Sequence, residues 1–386
     1  MPTGFPDAGE GNPGSASDGH PPVVPFRPSR PRRRSGDVAV RTRNRRHAVV
    51  FGARRVPYIS AVSSRASAAA RGSDHTVTSV VLVATALGVL CLQLVVLPLW
   101  LLPSNPTWGW LLAPLALLTT PYWSLLHDAI HGTLLARRTW NDRCGRALAV
   151  GYGAPFALLK TGHLLHHRYS RTRRERTEVY DPATTRWAAV APGYYLRLVG
   201  GLYLAEVATV LLAAAPARAW RHLARRLDSP DTVTGLLLDG VRRRHLRQFR
   251  VDGLAVVLVH GAAGVAYGRH VWMLGAALAA RAVLISVADN AYHYGTRLEA
   301  SLEAMNLRLP RALETFVLAF NLHGVHHRHP GLPWHELRRA FTADADRFHL
   351  GWFDAVGRQV RGPIPATAPE VEPAATRVAP ADPSRR

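Results

Sequence analysis

The chain has 386 residues and a formal charge of +22, and its apolar residues are gathered into long runs instead of being spread evenly. Length alone would allow two soluble domains, but such runs fit one membrane-embedded domain with additional ends. The charge is almost wholly arginine, Lys160 being the only lysine, and the two cysteines, Cys91 and Cys144, suggest neither a disulfide framework nor a cysteine metal site.

Residues 1–75 are rich in Pro, Gly, Ser and Arg with no sustained apolar period, which predicts a disordered basic tail. Its run Arg32-Arg33-Arg34 resembles a twin-arginine signal, but the next long apolar run lies far downstream and is too long for a signal segment, so an anchor helix is expected. Residues 77–102 are long enough to cross a bilayer, which takes about 20 apolar residues. Pro103-Ser104-Asn105-Pro106 breaks the run, and residues 108–126 form a second expected span with Trp108, Trp110, Tyr122 and Trp123 placed as interfacial aromatics.

Later apolar stretches cover residues 147–159, interrupted by glycines, and 194–215, which holds Gly200, Gly201 and Glu206. Residues 251–267 and 271–288, joined at Gly268-Arg269, form a second expected hairpin. If 194–215 also spanned, the arginine-rich loop 218–250 would face outward against the positive-inside tendency. The reading is therefore an all-α polytopic membrane protein with about four transmembrane helices in two hairpins. Residues 194–215 lie in the interface or enter the membrane partway, and both termini are cytoplasmic. Arg281 falls inside the last span, where a charge tends to mark function or a buried partner, and Glu206 is a candidate partner if residues 194–215 enter the membrane. The Pro- and Ala-rich residues 356–386 are expected as a second disordered tail.

Three clusters carry the chemistry: His127-Asp128-Ala129-Ile130-His131, His163-Leu164-Leu165-His166-His167 and His323-Gly324-Val325-His326-His327. Each follows an apolar segment, and on a helix each aims two or three imidazoles from one face. At this composition one H-x-x-H-H per chain is expected by chance about 5% of the time, so two are informative, whereas the H-x-x-x-H of the first cluster counts only in their company. Imidazole suits iron, copper, zinc and nickel, and eight clustered histidines exceed the need of one zinc ion, pointing to two metal ions. His293, in Asp289-Asn290-Ala291-Tyr292-His293, is a ninth candidate. Asp128 is a candidate hydrogen-bond partner of a ligand histidine. No Glu-x-x-His pair, dinucleotide fingerprint or phosphate-binding glycine loop is present.

The three boxes, with Asp181-Pro182 after the second and Asn-Leu-His-Gly-Val-His-His-Arg-His-Pro-Gly-Leu-Pro-Trp from Asn321 to Trp334, resemble those of the membrane fatty acid desaturase and hydroxylase superfamily. The resemblance implies a cytoplasmic helical cap carrying the boxes on a membrane-embedded domain of residues 76–355. It also implies two iron ions with molecular oxygen as co-substrate, a lipid substrate, and electrons from an external ferredoxin or cytochrome. His127, His131, His163, His166, His167, His323, His326 and His327 would ligate iron, His293 would complete the shell, and Asp289 or Asn290 would support it. The expected activity is acyl-chain desaturation at the plasma (inner) membrane, with the site cytoplasmic. A carotenoid hydroxylase or ketolase of the same superfamily shares the first box and the Pro-Trp tail after the third. A histidine-rich metal transporter would instead place its ligands at mid-membrane depth. No nucleic-acid-binding module accompanies the basic charge, so no nucleic-acid partner is expected.

Overall fold

The first apolar run makes α1 (Arg65–Cys91), which continues through a wider-turned stretch, Leu92–Leu101, around Pro98 and ends at Ser104. Asn105 then accepts from the Thr107 N–H at 3.0 Å, and Pro106 opens the return leg. That leg runs through Pro106–Leu111 and Leu112–Leu117, breaks at Leu118, and resumes as α2 (Thr119–His131). The computed structural model describes residues 65–300 and 302–373, all within one unit, Val62–Arg386.

Next come α3 (Arg138–Tyr152) and α4 (Phe156–Tyr169), reversed at Gly153 with φ +105°, then β1 (Val179–Tyr180). A bent helix follows as α5 (Trp187–Leu196), a kink at Val199–Gly200, α6 (Leu202–Ala208) and Thr209–Ala214. Two short basic helices, α7 (Ala217–Arg226) and α8 (Thr234–Arg244), lead into the hairpin α9 (Leu246–Tyr267) and α10 (Val271–Ala291), which turns at Gly268. The remainder builds a cap: β2 (Leu307–Arg308), α11 (His323–Arg328), α12 (Trp334–Ala343), β3 (Leu350–Gly351), α13 (Trp352–Gln359) and β4 (Ile364–Pro365). Two parallel pairs, β1 with β4 and β2 with β3, tie its segments together.

Three helical stretches among the described residues are long and apolar enough to cross a membrane: His75–Ser104, Trp187–Ala214 and Leu246–Ala291, the last including the Gly268 turn. The expected second span is not among them because its helix is broken at Leu118. Trp187–Ala214 qualifies by length and composition, yet its contacts lead it back to the end from which it starts. Arg197 lies 3.7 Å from Asp289 near the end of α10, while a side chain at Gly253, near the start of α9, would meet Ala213. Between them Gly200, with φ +122°, bends the chain against Ala282.

The α3–α4 reversal puts the end of α3 inside the bundle, where the carbonyls of its last turns draw further partners from the protein itself. Each receives a donor. Tyr122 Oη–H donates to the Leu148 carbonyl, His260 Nε2 lies 3.0 Å from that of Val150, Arg281 donates to Gly151 at 3.2 Å, and Tyr203 donates to Tyr152 at 2.6 Å. Arg281 also reaches Gln93 Oε1 at 3.3 Å, and the Tyr152 hydroxyl lies 2.7 Å from Glu206 Oε2. The expected Arg281–Glu206 pair is thus not made: the cation serves the negative end of the α3 dipole, and the carboxyl takes the neighbouring tyrosine.

Described residues enter both expected tails. Helix α1 begins at Arg65, inside the expected N-terminal tail, whose residues 1–64 lie outside the described residues. The expected C-terminal tail is ordered as far as it is described, to residue 373. Ile364 N–H donates to Glu178 O at 2.8 Å, and Val371 N–H to Gly295 O at 2.9 Å, so backbone pairing holds a segment whose composition carries no apolar period. Residues 374–386 lie outside the described residues.

A Cβ at Gly200 would stand 2.8 Å from the Ala282 Cβ, whereas one at Gly193 meets nothing within 4 Å. Gly200→Ala is therefore expected to lose about 1–3 kcal/mol of stability through overpacking and positive-φ strain. Thermal unfolding in detergent should show a lowered midpoint for Gly200→Ala but not for Gly193→Ala; equal midpoints would contradict the packing of the bend on α10.

Candidate metal centre

Nine histidines converge at one end of the bundle, and helix periodicity decides how they divide. At 3.6 residues per turn, positions i+3 and i+4 flank position i and diverge from each other by about 100°. In α4, His163 and His167 join His127 and His131 of α2 and His326 of α11 in one set, whose ligand atoms all lie within 4.8 Å of one another. His166 swings the other way and joins His293, His323 and His327 in a second set of the same spread. Helix α11 repeats the division with the sets exchanged: His323 and His327 go together and His326 crosses over. Each H-x-x-H-H box therefore serves both sets.

Local structure fixes these positions. Helix α2 stops directly after His131 because Gly132, at φ +82°, caps it, donating to the Asp128 carbonyl at 2.9 Å. His293 lies in the turn after α10, its N–H donating to Asn290 O at 3.1 Å. Helix α11 is held by Asn306, whose Oδ1 accepts from Val325 N–H at 3.0 Å. Leu318 and Ala319, at φ +54° and +55°, reverse the chain just before it.

Within the first set the Nε2 atoms of His131 and His163 are 2.9 Å apart, those of His163 and His167 3.1 Å, and those of His167 and His326 3.0 Å. In the second set His166 and His327 approach at 3.2 Å through Nε2. Burial and the surrounding imidazoles hold eight of the nine rings below their ordinary pKa, His131 down to about 4, so the rings are neutral and carry the lone pairs that ligation needs. His166 runs the other way. Burial lowers it, but Glu175, with Oε1 2.8 Å from Nδ1, more than offsets that and raises it.

Glu175 is the residue that sequence reading missed. It sits in the charged run Arg171-Thr172-Arg173-Arg174-Glu175, which reads as a solvated loop, and the only available signal was a carboxylate eight residues after the last histidine of the second box. Arg171 of the same run is fully buried, ion-paired to buried Glu178, and donates to Thr296 O at 2.7 Å, anchoring the loop under the His293 turn.

The expected supporting residues act differently from the sequence-based expectation. Asp128 Oδ1 is 3.9 Å from His127 Nδ1, beyond hydrogen-bond reach, while its Oδ2 accepts from Trp334 N–H at 3.0 Å. The carboxyl therefore ties the first box to the chain after the third, and burial pushes its pKa up to about 7. Asp289 pairs with Arg197. Asn290 donates to Gln359 Oε1 at 2.6 Å and to the Tyr194 hydroxyl at 3.3 Å, fastening α10 to α13. None of the three hydrogen-bonds a site imidazole through its side chain, because nearer partners take those groups.

A family model described as Fatty acid desaturase matches residues 105–353, which hold all nine histidines. The chain belongs to the fatty acid desaturase family. No curated protein and no solved structure matches it. The family and the three apolar helices together place the chain among membrane proteins and oxidoreductases.

The donor set of this desaturase-family chain fits a metal. His127 Nε2 and His293 Nε2 are buried ring nitrogens with no hydrogen-bond partner, an unfavourable arrangement unless an acceptor of lone pairs lies beside them. If the second set holds an ion, Glu175→Gln should weaken its binding by about 10–100-fold, as loss of an imidazole's outer partner does, and leave the first set unaffected. Titration with a divalent transition ion against a competing chelator tests this: two events with one weakened are expected, and two unchanged events would contradict it.

Proposed function

We propose that the nine histidines hold two iron ions and that the protein is an oxygen-dependent lipid desaturase that places a double bond in a fatty acyl chain. The observation that carries this reading is the division of both H-x-x-H-H boxes between two sets on shared helices, which supports adjacent ions in one centre rather than two separate structural sites. When bound, a redox-active iron pair supplies oxygen activation and removal of hydrogen from an unactivated C–H bond.

The chain's own residues would shield and aim that chemistry. Phe320 stands edge-on to His127 at 5.0 Å, and Tyr292 lies 4.7 Å from His323, covering the centre with aromatic rings that keep water out. A groove of about 420 Å³ runs between α1 and α2, lined by Leu82, Val89, Leu118, Leu125 and Phe316, and reaches Leu318 and Trp334 at the flanks of the third box. Its apolar lining suits an apolar substrate chain. Electrons would come from a ferredoxin or cytochrome, since no dinucleotide fingerprint accompanies the boxes.

The proposed placement is the inner membrane with the histidine end cytoplasmic. His75, early in α1, stacks on His335 at 3.7 Å, so α1 enters from the histidine end, and the arginines of α7 and α8 gather before α9. The crossing legs are then α1, residues 108–126, α9 and α10.

The test is mass-spectrometric profiling of fatty acids and pigments in carotenoid-producing cells that express the protein or His326→Ala with a matching ferredoxin system. A new double bond in acyl chains, absent with His326→Ala, is expected. An oxygenated carotenoid with unchanged fatty acids would overturn the acyl assignment.

A further inference from the structure

A cavity of about 1040 Å³ opens between α3, α4, α8 and the start of α9, separate from the histidine sets. Its wall carries Arg138, Arg143, Arg146, Lys160, Arg244 and Arg247. Two of these cations are neutralised: Arg146 by Asp252 at 2.7 Å and Lys160 by Asp142 at 3.2 Å. Arg143 rests over the Trp140 ring, 4.9 Å from its centre, which leaves its charge uncompensated. Arg138, Arg244 and Arg247 have no carboxylate partner among the described residues. A concave site with four unneutralised guanidinium groups is built for an anion with several acceptor oxygens.

The remaining lining decides the kind of anion. Phe156, Ala157, Leu164 and Val251 give the same cavity apolar walls. Val251 is 52% exposed and begins a stripe on α9 that continues through Leu254 at 58% and Leu258 at 61%, spaced at i, i+3 and i+7 along a helix assigned to the membrane. A basic pocket opening onto an apolar stripe matches a phosphate headgroup with acyl tails attached. An acidic protein would meet the outer arginines but not Lys160, whose side chain is only 22% exposed.

We propose that this cavity binds the phosphate headgroup of an anionic glycerophospholipid, with its tails along Val251, Leu254 and Leu258. The occupant touches α3, α4, α8 and α9 together and so braces α4, which carries the second histidine box on a neighbouring face. The site does not depend on the reaction assigned to the histidines, and its test needs no turnover.

Lys160 supplies the readout, because it is the only lysine in the chain and thus the only ε-amine. Full-length protein is placed in nanodiscs of phosphatidylcholine alone or with phosphatidylglycerol, and modification of Lys160 by an amine-reactive reagent is timed by peptide mass spectrometry. Phosphatidylglycerol should slow the modification, and each arginine removed in R138Q/R244Q/R247Q should weaken lipid binding by about fivefold, abolishing protection in the triple variant. Comparison in the same bilayer cancels the bulk surface charge, and native mass spectrometry of the unaltered protein should show retained phosphatidylglycerol even if the triple variant misfolds. Equal rates in both bilayers, or protection that survives in a folded triple variant, would overturn the proposal. So would equal protection by inorganic phosphate in phosphatidylcholine, or protection by an acidic ferredoxin where phosphatidylglycerol gives none.

Discussion

Nine imidazoles packed ring against ring, five of them buried and four half-buried, can coexist only while most are uncharged, since protonating them together would set like charges a few ångströms apart. Burial and mutual repulsion hold eight of them neutral, and wherever a ring turns its N–H outward its lone pair faces those of its neighbours. A cation between them removes that conflict. The surrounding fold can be understood as what is required to bring three helix ends and one turn to a common point and keep water from it.

Bringing helix ends together inside a bundle has its own cost. Helix α3 stops among apolar neighbours so that the chain can reverse and raise α4 with its three histidines, and the stranded carbonyls would each cost roughly 1–3 kcal/mol if unpaired. Donors from four other segments, Tyr122, Tyr203, His260 and Arg281, meet them. Four of the polar residues scattered through the apolar runs are therefore partners of one buried helix end. The same principle explains the arginine in α10, whose charge sits at the negative end of a helix dipole.

Much of this could be read from the residues. The three boxes and His293 were legible because i, i+3 and i+4 spacing is a property of the helix itself, and the hairpin at Gly268 because a glycine interrupts two apolar runs of membrane length. What was not legible depends on contacts distant in sequence. Glu175 looks like part of a solvated arginine run until α4 brings it beneath His166, and Asp128 looks like a partner for His127 until Trp334 arrives from the far end of the chain. The C-terminal segment lacks any apolar period because it is held through backbone pairing with β1, which leaves no trace in hydropathy. Residues 187–214 show a span by composition, and only the bend at Gly200 returns them to their starting end.

The central claim is that the nine histidines form one centre for two iron ions. X-ray absorption at the iron edge of the purified protein, with iron content measured on the same sample, tests it most directly. The account predicts two iron ions per chain in a nitrogen-dominated shell showing the outer-shell scattering of several imidazoles. A shell dominated by oxygen, or a single iron per chain in fully loaded protein, would contradict it.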